Sequence, residues 1–151
     1  MEFQPYKANE CFENLYYKVP IELFLNPIYS LKLNSDSKLL YGFLLNRLDL
    51  SIKNKWLDEN GNAYLIYARK DIEKLLNASD KTVTKAFKEL SDCKLIYEKK
   101  QGRGKPNLIY VGKIVHMENM DIRKKRLIQI VRLRKKKTKR RVVSVKSWRN
   151  S

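Results

Sequence analysis

The stretch RKDIEKLLNASDKTVTKAFKELSDCKLIYEKKQGRGKPNLIYVGKI, residues 69–114, determines the fold. Apolar residues at i, i+3 and i+4 predict a short amphipathic helix over about Arg69–Leu76. The pair Asn77-Ala78 breaks this helix, and Ser79 is a good N-cap for a second helix that ends near Cys93. A short helix, a turn of three or four residues and a second helix have the spacing of a helix-turn-helix.

β-structure is predicted on both sides of these helices. Downstream, Leu95–Gln101 and Pro106–Ile114 have the composition of strands, joined by the cationic loop Gly102-Arg103-Gly104-Lys105. This loop is not a phosphate-binding P-loop, because the GxxxxGK[ST] spacing is absent and a strand follows instead of a helix. Upstream, Asn60-Gly61 predicts a hairpin-type turn before a strand over Ala63–Ala68. Two helices, a turn and a basic hairpin in this order predict an α+β fold, a winged helix-turn-helix.

The second helix predicts a nucleic-acid-binding surface. At 100° per residue its apolar side chains fall within a sector of roughly 100°, and Lys81, Lys85 and Lys88 fall on the opposite side beside Thr84. A lysine face is usually only a solvated face. Here residues 79–113 hold nine cations and four acids, and the basic hairpin follows directly, which favours a polyanionic partner. We therefore predict binding to double-stranded DNA.

In this interpretation the second helix enters the major groove and the hairpin, the wing, contacts the flanking backbone. The predicted contacts on the helix, where hydroxyls and ammonium groups reach base edges or phosphates, are Lys81, Thr82, Thr84, Lys85 and Lys88. The predicted contacts on the wing, with Arg103 as the minor-groove candidate, are Lys99, Lys100, Arg103, Lys105 and Asn107. Further phosphate contacts are predicted at Lys53, Lys55, Arg69 and Lys70.

An aromatic arm and a long apolar helix are predicted before the helix-turn-helix. Residues 1–34 are rich in aromatic side chains and contain three prolines, which favours an ordered arm with short turns. Ser35 or Asp36 is the predicted cap of a helix that runs to about Leu50 and is apolar on nearly all sides. Such a helix is expected to be buried, either centrally or between subunits. The arm or this helix is the expected interface of a homodimer.

Charge divides the chain of 151 residues and net charge +17 into a body and a tail. Residues 121–151 hold 14 Lys and Arg residues and one acid, whereas residues 1–120 hold 19 cations and 15 acids. We assign residues 1–34 to an arm that packs on the core or on a second subunit, and residues 35–115 to the winged-helix domain. Residues 116–151 form a basic tail, which we expect to be disordered, truncated or not native.

The residue counts argue against several other functions. Two cysteines (Cys11 and Cys93) and one histidine (His116) are too few and too scattered for a tetrahedral zinc site, and His116 alone does not complete a hydrolase triad. We therefore expect no enzyme activity, no catalytic residues, no metal and no cofactor. No apolar stretch approaches the roughly 20 residues that cross a bilayer, and the N-terminus lacks a signal pattern. A cytoplasmic protein that does not contact membranes is expected.

Three segments resemble a known family: FENLYYKVPIELFLNPIYS (residues 12–30), SKLLYGFLLNRLDLSIKNKWLDENGNAYLIY (residues 37–67) and GRGKPNLIYVGK (residues 102–113). They look like the N-terminal domain of RepA-type replication initiators from theta-replicating plasmids of low-GC Gram-positive bacteria. The resemblance implies a dimeric winged-helix domain that binds direct repeats (iterons) at the plasmid origin. It also implies a C-terminal domain that recruits host replication proteins. No segment after about Ile114 resembles that domain, so we expect this chain to hold the DNA-binding part only.

The chain departs from the family's pattern at three positions. Asn34 and Ser37 stand where Ser and Ala are usual at the entry to the long helix. Lys94 stands where a glycine is common, which puts in question how the preceding helix ends.

Two alternatives remain open at this point. A transcriptional regulator with the same scaffold would recognise an operator by the same chemistry as an origin. A basic RNA-binding protein would bind mainly through the tail.

Overall fold

The structure, a computed structural model, describes residues 1–10 and 14–116. Residues 11–13 and most of the predicted basic tail lie outside the described residues. One compact unit covers Met1–Ile114, and residues 115–151 form a second unit, of which only the first two residues are described. The helices and strands of the first unit are α1 (Glu22–Leu25), α2 (Pro27–Ser30), α3 (Ser35–Lys53), α4 (Arg69–Leu76), α5 (Asp80–Asp92), β1 (Ile96–Lys99) and β2 (Leu108–Val111).

Helices α4 and α5 form the predicted helix-turn-helix. The bounds of α4 agree with the prediction, and α5 ends one residue before Cys93. Between them Asn77 adopts a left-handed conformation with φ 48°, and the Ser79 hydroxyl accepts a hydrogen bond from the Thr82 amide at 3.3 Å. The turn and the cap are therefore formed by the residues that the sequence indicated. With the hairpin that follows, the predicted α+β winged helix-turn-helix is confirmed.

Strands β1 and β2 form an antiparallel hairpin, in which Ile96 lies opposite Val111 and Lys99 lies opposite Leu108. Both strands are shorter than predicted. At the loop end of the hairpin the Gln101 side chain donates a hydrogen bond to the Pro106 carbonyl at 2.7 Å, so a side-chain contact replaces the backbone ladder there.

The strand predicted over Ala63–Ala68 is wrong in its extent. The segment makes single bridges, Leu57 with Ala63 and Leu65 with Ile109. Leu65 and Ile109 exchange two backbone hydrogen bonds of 2.9 and 2.8 Å. The chain turns just before this segment and enters α4 at Arg69 just after it. Because the segment is so short, Leu65 is its one residue that pairs with β2.

The core contains buried apolar side chains from α1 to β2 and from the segments between them. Its members are Leu23, Tyr29, Leu33, Leu40, Tyr41, Leu44, Leu65, Ile72, Val83, Ala86, Phe87, Leu90, Leu95, Ile96 and Ile109. Burying a side chain of the size of leucine contributes about 1.5–3 kcal/mol, so this cluster is the main stabilising element.

The long helix α3 differs from the prediction in its cap. Asn34, not Ser35 or Asp36, is the N-cap, since its side-chain oxygen accepts a hydrogen bond from the Ser37 amide at 2.9 Å. The asparagine that departs from the family's pattern therefore keeps the capping function. The helix also continues past Leu50.

Helix α3 is not buried on all sides, as its composition had suggested. Leu40, Tyr41 and Leu44 are buried, whereas Leu39 and Leu50 are exposed. Because the core covers only one face of α3, the leucines on the opposite face lie at the surface.

Residues 1–34 contain an exposed first part and a packed second part. Phe3 and Tyr6 are exposed, whereas Leu23 and Tyr29 are buried in the core. The chain approaches α3 closely at Gly42, where an added Cβ would lie 2.8 Å from the Val19 side chain. A glycine at this position therefore permits the arm to lie against the helix.

Helix α5 is terminated by Lys94 in the same way that helices are commonly terminated by a glycine. This residue adopts a left-handed conformation with φ 58°, and its amide donates to the Ser91 carbonyl at 3.0 Å. The Leu95 amide donates to the Leu90 carbonyl at 2.9 Å. These are the two hydrogen bonds of a Schellman motif, so the lysine takes the position and conformation in which glycine is favoured.

Candidate nucleic-acid interface

Helix α5 presents a cationic face to solvent. Its inward side chains are buried. The opposite face exposes Asp92 in the last turn and, before it, the side chains of Lys81, Thr84, Lys85 and Lys88. At 100° per residue these four positions fall within roughly 100°. The structure thus brings four of the five predicted helix contacts onto one surface.

Two of these lysines are paired with acids one turn further along the helix. The Lys85 ammonium lies 3.8 Å from the Glu89 carboxylate, and the Lys88 ammonium lies 2.8 Å from the Asp92 carboxylate. The hydrogen bond to Asp92 raises the pKa of Lys88. Lys81 makes no ion pair with another described residue. The pair of Lys88 with Asp92 is exposed on both sides, and such i,i+4 pairs contribute about 0.3–0.5 kcal/mol, so an incoming phosphate can replace Asp92. Glu89 is only 17% exposed, but its long contact with Lys85 leaves that ammonium open to solvent.

Thr82 does not share the cationic face. Its side chain is half-buried, and its hydroxyl lies 3.0 Å from the Ser79 hydroxyl at the start of α5. Its amide donates to the same serine. Thr82 therefore supports the N-cap, and its placement does not favour the predicted contact with a base.

The wing presents exposed cations at the end of the hairpin. Gly102 and Lys105 close a turn through a backbone hydrogen bond of 3.3 Å, and Gly104 has φ 78°, a conformation that glycine adopts without strain. Arg103 lies between them at the tip. The exposed cations of the wing, which make no ion pair within the described part of the chain, are Lys99, Lys100, Arg103 and Lys105.

Asn107 faces the base of the wing. It is half-buried, and its side-chain amide donates a long hydrogen bond of 3.4 Å to the Glu98 carboxylate. This contact orients the start of β2 and leaves Asn107 behind the exposed cations.

Arg69 is half-buried and packs against the domain. One terminal nitrogen of its guanidinium donates to both carboxylate oxygens of Glu98, at 2.9 and 3.1 Å. The guanidinium carbon lies 3.6 Å from the centre of the Phe87 ring, and the other terminal nitrogen is buried. Arg69 thus joins α4 to α5 and β1, and its geometry does not favour the phosphate contact predicted from the sequence.

The other predicted phosphate contacts lie on elements outside α5 and the wing. Lys53 pairs with Asp49 at 3.0 Å in the last turn of α3, and Lys70 pairs with Glu73 at 3.1 Å in α4. Lys55 is exposed just after α3 and adopts φ 57°. All three lysines are exposed to solvent.

The sequence did not reveal the contact that fixes α5 against α3. The Glu89 carboxylate accepts hydrogen bonds from the Asn34 amide at 3.1 Å and from the Ser37 hydroxyl. The i,i+4 spacing could have indicated the pair of Glu89 with Lys85. A contact across 55 residues leaves no such signal.

Other chemistry finds little support in the described ranges. They contain no group of three or more His, Cys, Asp or Glu side chains that could hold a metal ion. Cys93 is a free thiol whose pKa is raised by burial. No helix within residues 1–10 and 14–116 has the length and apolar character needed to cross a membrane.

Comparison with known proteins identifies relatives of this domain. The family described as "Replication initiator protein A (RepA) N-terminus" matches residues 15–125. A "41 kDa protein" of Lactobacillus helveticus is 30% identical over 97 residues, which are 64% of this chain and 27% of that protein. The chain therefore covers about a quarter of the length of this relative.

Three solved structures resemble the chain in fold and sequence. One is described as "N-Terminal domain of DNA binding protein", with 33% identity, a TM-score of 0.66, and coverage of 83% of this chain and 96% of that chain. "Structure of Rep-DNA complex" has 34% identity, a TM-score of 0.66, and coverage of 82% and 95%. "Structure of MDR initiator" has 37% identity, a TM-score of 0.64, and coverage of 82% and 98%.

Proposed function

Because the chain belongs to the family of replication initiator protein A N-termini, we propose that it recognises repeated sequences (iterons) in double-stranded DNA at a plasmid replication origin. One observation carries this proposal: the exposed lysine face of α5 lies on the helix that follows the turn, and the cationic wing follows it in the chain. A similar solved structure, described as a Rep-DNA complex, supports the same function.

Helix α5 enters the major groove with its exposed face towards the bases. Lys81 has no acidic partner to displace among the described residues, so it binds a phosphate or a guanine without that cost. Lys85 and Lys88 exchange Glu89 and Asp92 for DNA. Thr84 offers a hydroxyl and a methyl group to base edges. These groups supply both affinity and base preference.

The wing holds the DNA backbone beside the helix. Arg103 lies at the tip of the turn and enters a minor groove in this proposal. Lys99, Lys100 and Lys105 neutralise phosphates. Each phosphate contact releases counterions, so the wing contributes affinity that falls as salt rises and that depends little on sequence.

The domain binds as a homodimer in this proposal. Helices α1 and α2 and the exposed face of α3 leave large apolar side chains at the surface, which are those of Phe24, Ile28, Leu31 and Leu39. Exposed apolar groups on one region of a small domain are typical of protein interfaces. Pairing two copies there would place two recognition helices about 34–36 Å apart, one turn of the DNA helix.

The wider role follows from the family. We propose that the domain works in the cytoplasm, without a cofactor, a metal or a catalytic step. Host replication proteins would be recruited through a further domain, which the predicted winged helix does not include. The regulator alternative uses the same surface and differs only in the DNA that is bound.

Footprinting on the replicon that encodes the chain, at two salt concentrations, tests this proposal. We expect protection of tandem repeats within the replication region. Protection of an inverted repeat at a promoter alone would identify a regulator. Deletion of residues 121–151 should weaken binding but leave the footprint, whereas an RNA-binding protein that relied on the tail would lose binding altogether.

Substitution of Lys85 separates base recognition from charge. Lys85→Ala should weaken binding to repeat DNA by about 1–3 kcal/mol and relax the base preference. Lys7→Ala, which removes an equal charge from the exposed arm, is the matched control and should change neither. Equal loss on scrambled DNA would show that Lys85 contacts only phosphate. Unchanged binding to both DNAs would contradict the proposed helix face.

A further inference from the structure

A row of three tyrosines crosses the outer face of the wing sheet. Tyr97 on β1 lies opposite Tyr110 on β2, with ring centres 6.2 Å apart. Tyr64, in the segment that bridges to β2 at Leu65, continues the row at 6.3 Å from Tyr110. Three separate segments of the chain thus bring their tyrosines side by side.

These rings are not needed to close the core. Side chains alternate across the sheet, and Ile96 and Ile109 are buried on the inner face, so their neighbours Tyr97 and Tyr110 face outwards. Tyr97 is 63% exposed. The ring planes are tilted by 37° and 59°, so no ring stacks face to face on its neighbour. The row therefore offers aromatic faces to a flat group from solvent.

The charge around the row is positive. Residues 96–113 hold five cations and one acid, and this acid, Glu98, is neutralised by Arg69. Lys99 lies two residues from Tyr97 and so on the same face of β1. At the edge of the row the Asp58 carboxylate accepts hydrogen bonds from Tyr110 and from the amides of Asn60 and Asn62, so one negative charge stays at that edge. The exposed ring of Tyr97, beside two half-buried tyrosines and near Lys99, matches a polyanion that carries flat rings.

We propose that this face, formed by Tyr64, Tyr97, Tyr110 and Lys99, binds single-stranded DNA. Unpaired bases stack on the tyrosines, Tyr97 foremost, while the lysine neutralises the backbone. A duplex cannot use this surface in the same way, because its base faces are covered by neighbouring base pairs and only edges and phosphates are accessible. The inference rests on the proposed function, because both assume that the protein acts on DNA at an origin. It uses the opposite side of the wing sheet from the core on which α5 packs.

The test compares two labelled strands of equal length, an oligothymidine and an abasic strand with the same number of phosphates, by fluorescence anisotropy with the full chain. We expect tighter binding to the oligothymidine. Tyr97→Ala should weaken that binding by about 5- to 150-fold, since stacking contributes about 1–3 kcal/mol per base, and should reduce the preference for bases. Tyr97→Phe should retain it. Tyr16→Ala, which removes a tyrosine of 64% exposure from the arm, is the matched control and should have no effect.

The outcomes separate this inference from the proposed function. Equal binding of both strands by the unmodified chain would overturn it, as would a preference for bases that is undiminished in Tyr97→Ala. If Tyr97→Ala changes the sedimentation of the chain and not its preference, the face is a protein interface and the inference is wrong. Failure to protect duplex repeats, together with an intact preference for bases, would overturn the proposed function and leave this inference standing.

Discussion

The carboxylate of Glu89 in α5 accepts a hydrogen bond from the backbone amide of Asn34, 55 residues earlier in the chain, at 3.1 Å. The same oxygen accepts the hydroxyl of Ser37 in α3. The other carboxylate oxygen lies 3.8 Å from the ammonium of Lys85 on the proposed DNA-binding face. One side chain therefore joins the start of α3 to the recognition helix and also lowers the charge that the helix presents.

Glu89→Ala should reduce the free energy of unfolding by about 1–3 kcal/mol, because it leaves the Asn34 amide without its acceptor and leaves the Ser37 hydroxyl with only the Asn34 side-chain oxygen at 2.8 Å. Chemical denaturation measures this loss. Glu89→Gln should lose less, since the carboxamide oxygen can still accept a hydrogen bond, and should bind DNA more tightly because one negative charge is removed beside Lys85.

Asp49→Ala is the control for this series, because it breaks the exposed ion pair with Lys53 within α3 and removes no contact between helices. Its stability should stay within about 0.5 kcal/mol of the unmodified chain. If Glu89→Ala matched this control, the carboxylate would not hold α3 and α5 together.

Arg69→Lys should also destabilise the domain, by about 1–3 kcal/mol. A lysine ammonium can still pair with Glu98, but it has no planar guanidinium to place over the Phe87 ring. Denaturation of the single variants and of Arg69→Lys combined with Glu98→Gln should reveal a coupling of about 0.5–3 kcal/mol between the two positions.

DNA binding distinguishes this structural role from the phosphate contact predicted from the sequence. When measured well below its unfolding temperature, Arg69→Lys should bind repeat DNA as tightly as the unmodified chain and with the same salt dependence. Lys70→Ala, the exposed neighbour, should instead keep its stability and lose a small, salt-sensitive part of its affinity. If Arg69→Lys weakened DNA binding and Lys70→Ala did not, Arg69 would be a DNA contact as predicted from the sequence.

The local part of the fold was predictable because its signals lie close together in sequence. The capping serine at position 79, the asparagine break and the i, i+3, i+4 apolar pattern of α4 each act within one or two helical turns. The cationic face of α5 follows from helical geometry alone, so Lys81, Lys85 and Lys88 could be placed before the structure was known.

Contacts between distant segments could not be predicted in this way. Arg69 carries the same charge as Lys70, and nothing near it in the sequence shows that its guanidinium will pair with Glu98, 29 residues away. The single bridge at Leu65 depends on where β2 lies, so its segment looked like a full strand. The apolar composition of α3 gave no indication of which leucines would be exposed, because that depends on which side of the helix the other elements pack against.

The left-handed lysine after α5 leads to a stabilising substitution. Lys94→Gly should raise the free energy of unfolding by about 1 kcal/mol, because a residue with a Cβ is strained at φ 58° and glycine is not. Thermal or chemical denaturation measures the change. Asn77→Gly, at the corresponding position after α4, should gain less, since asparagine tolerates this conformation better than lysine. Equal gains at both positions would contradict this reasoning, and a loss at Lys94 would show that its side chain makes a stabilising contact.

The buried hydroxyl of Tyr41 predicts how stability depends on alkaline pH. It donates a hydrogen bond to the Gly112 carbonyl at 2.8 Å, and burial, with the nearby Tyr29 and Glu22, raises the pKa of Tyr41 from 10.0 to about 12. The unfolded chain therefore loses this proton at a lower pH than the folded chain. Stability from this group is complete below pH 10 and falls as the pH rises from 10 to 12, by about 2–3 kcal/mol in total.

Tyr41→Phe isolates this contribution. At neutral pH the variant should be less stable by about 1 kcal/mol, because the Gly112 carbonyl loses its donor. Its stability should then fall less steeply than that of the unmodified chain above pH 10, since phenylalanine has no proton to lose. Urea denaturation of both proteins at a series of pH values gives the difference directly, and the ionisation of lysines cancels because both chains contain the same lysines. The difference should shrink and then reverse as the pH approaches 12; parallel curves would mean that Tyr41 ionises alike in the folded and unfolded chains.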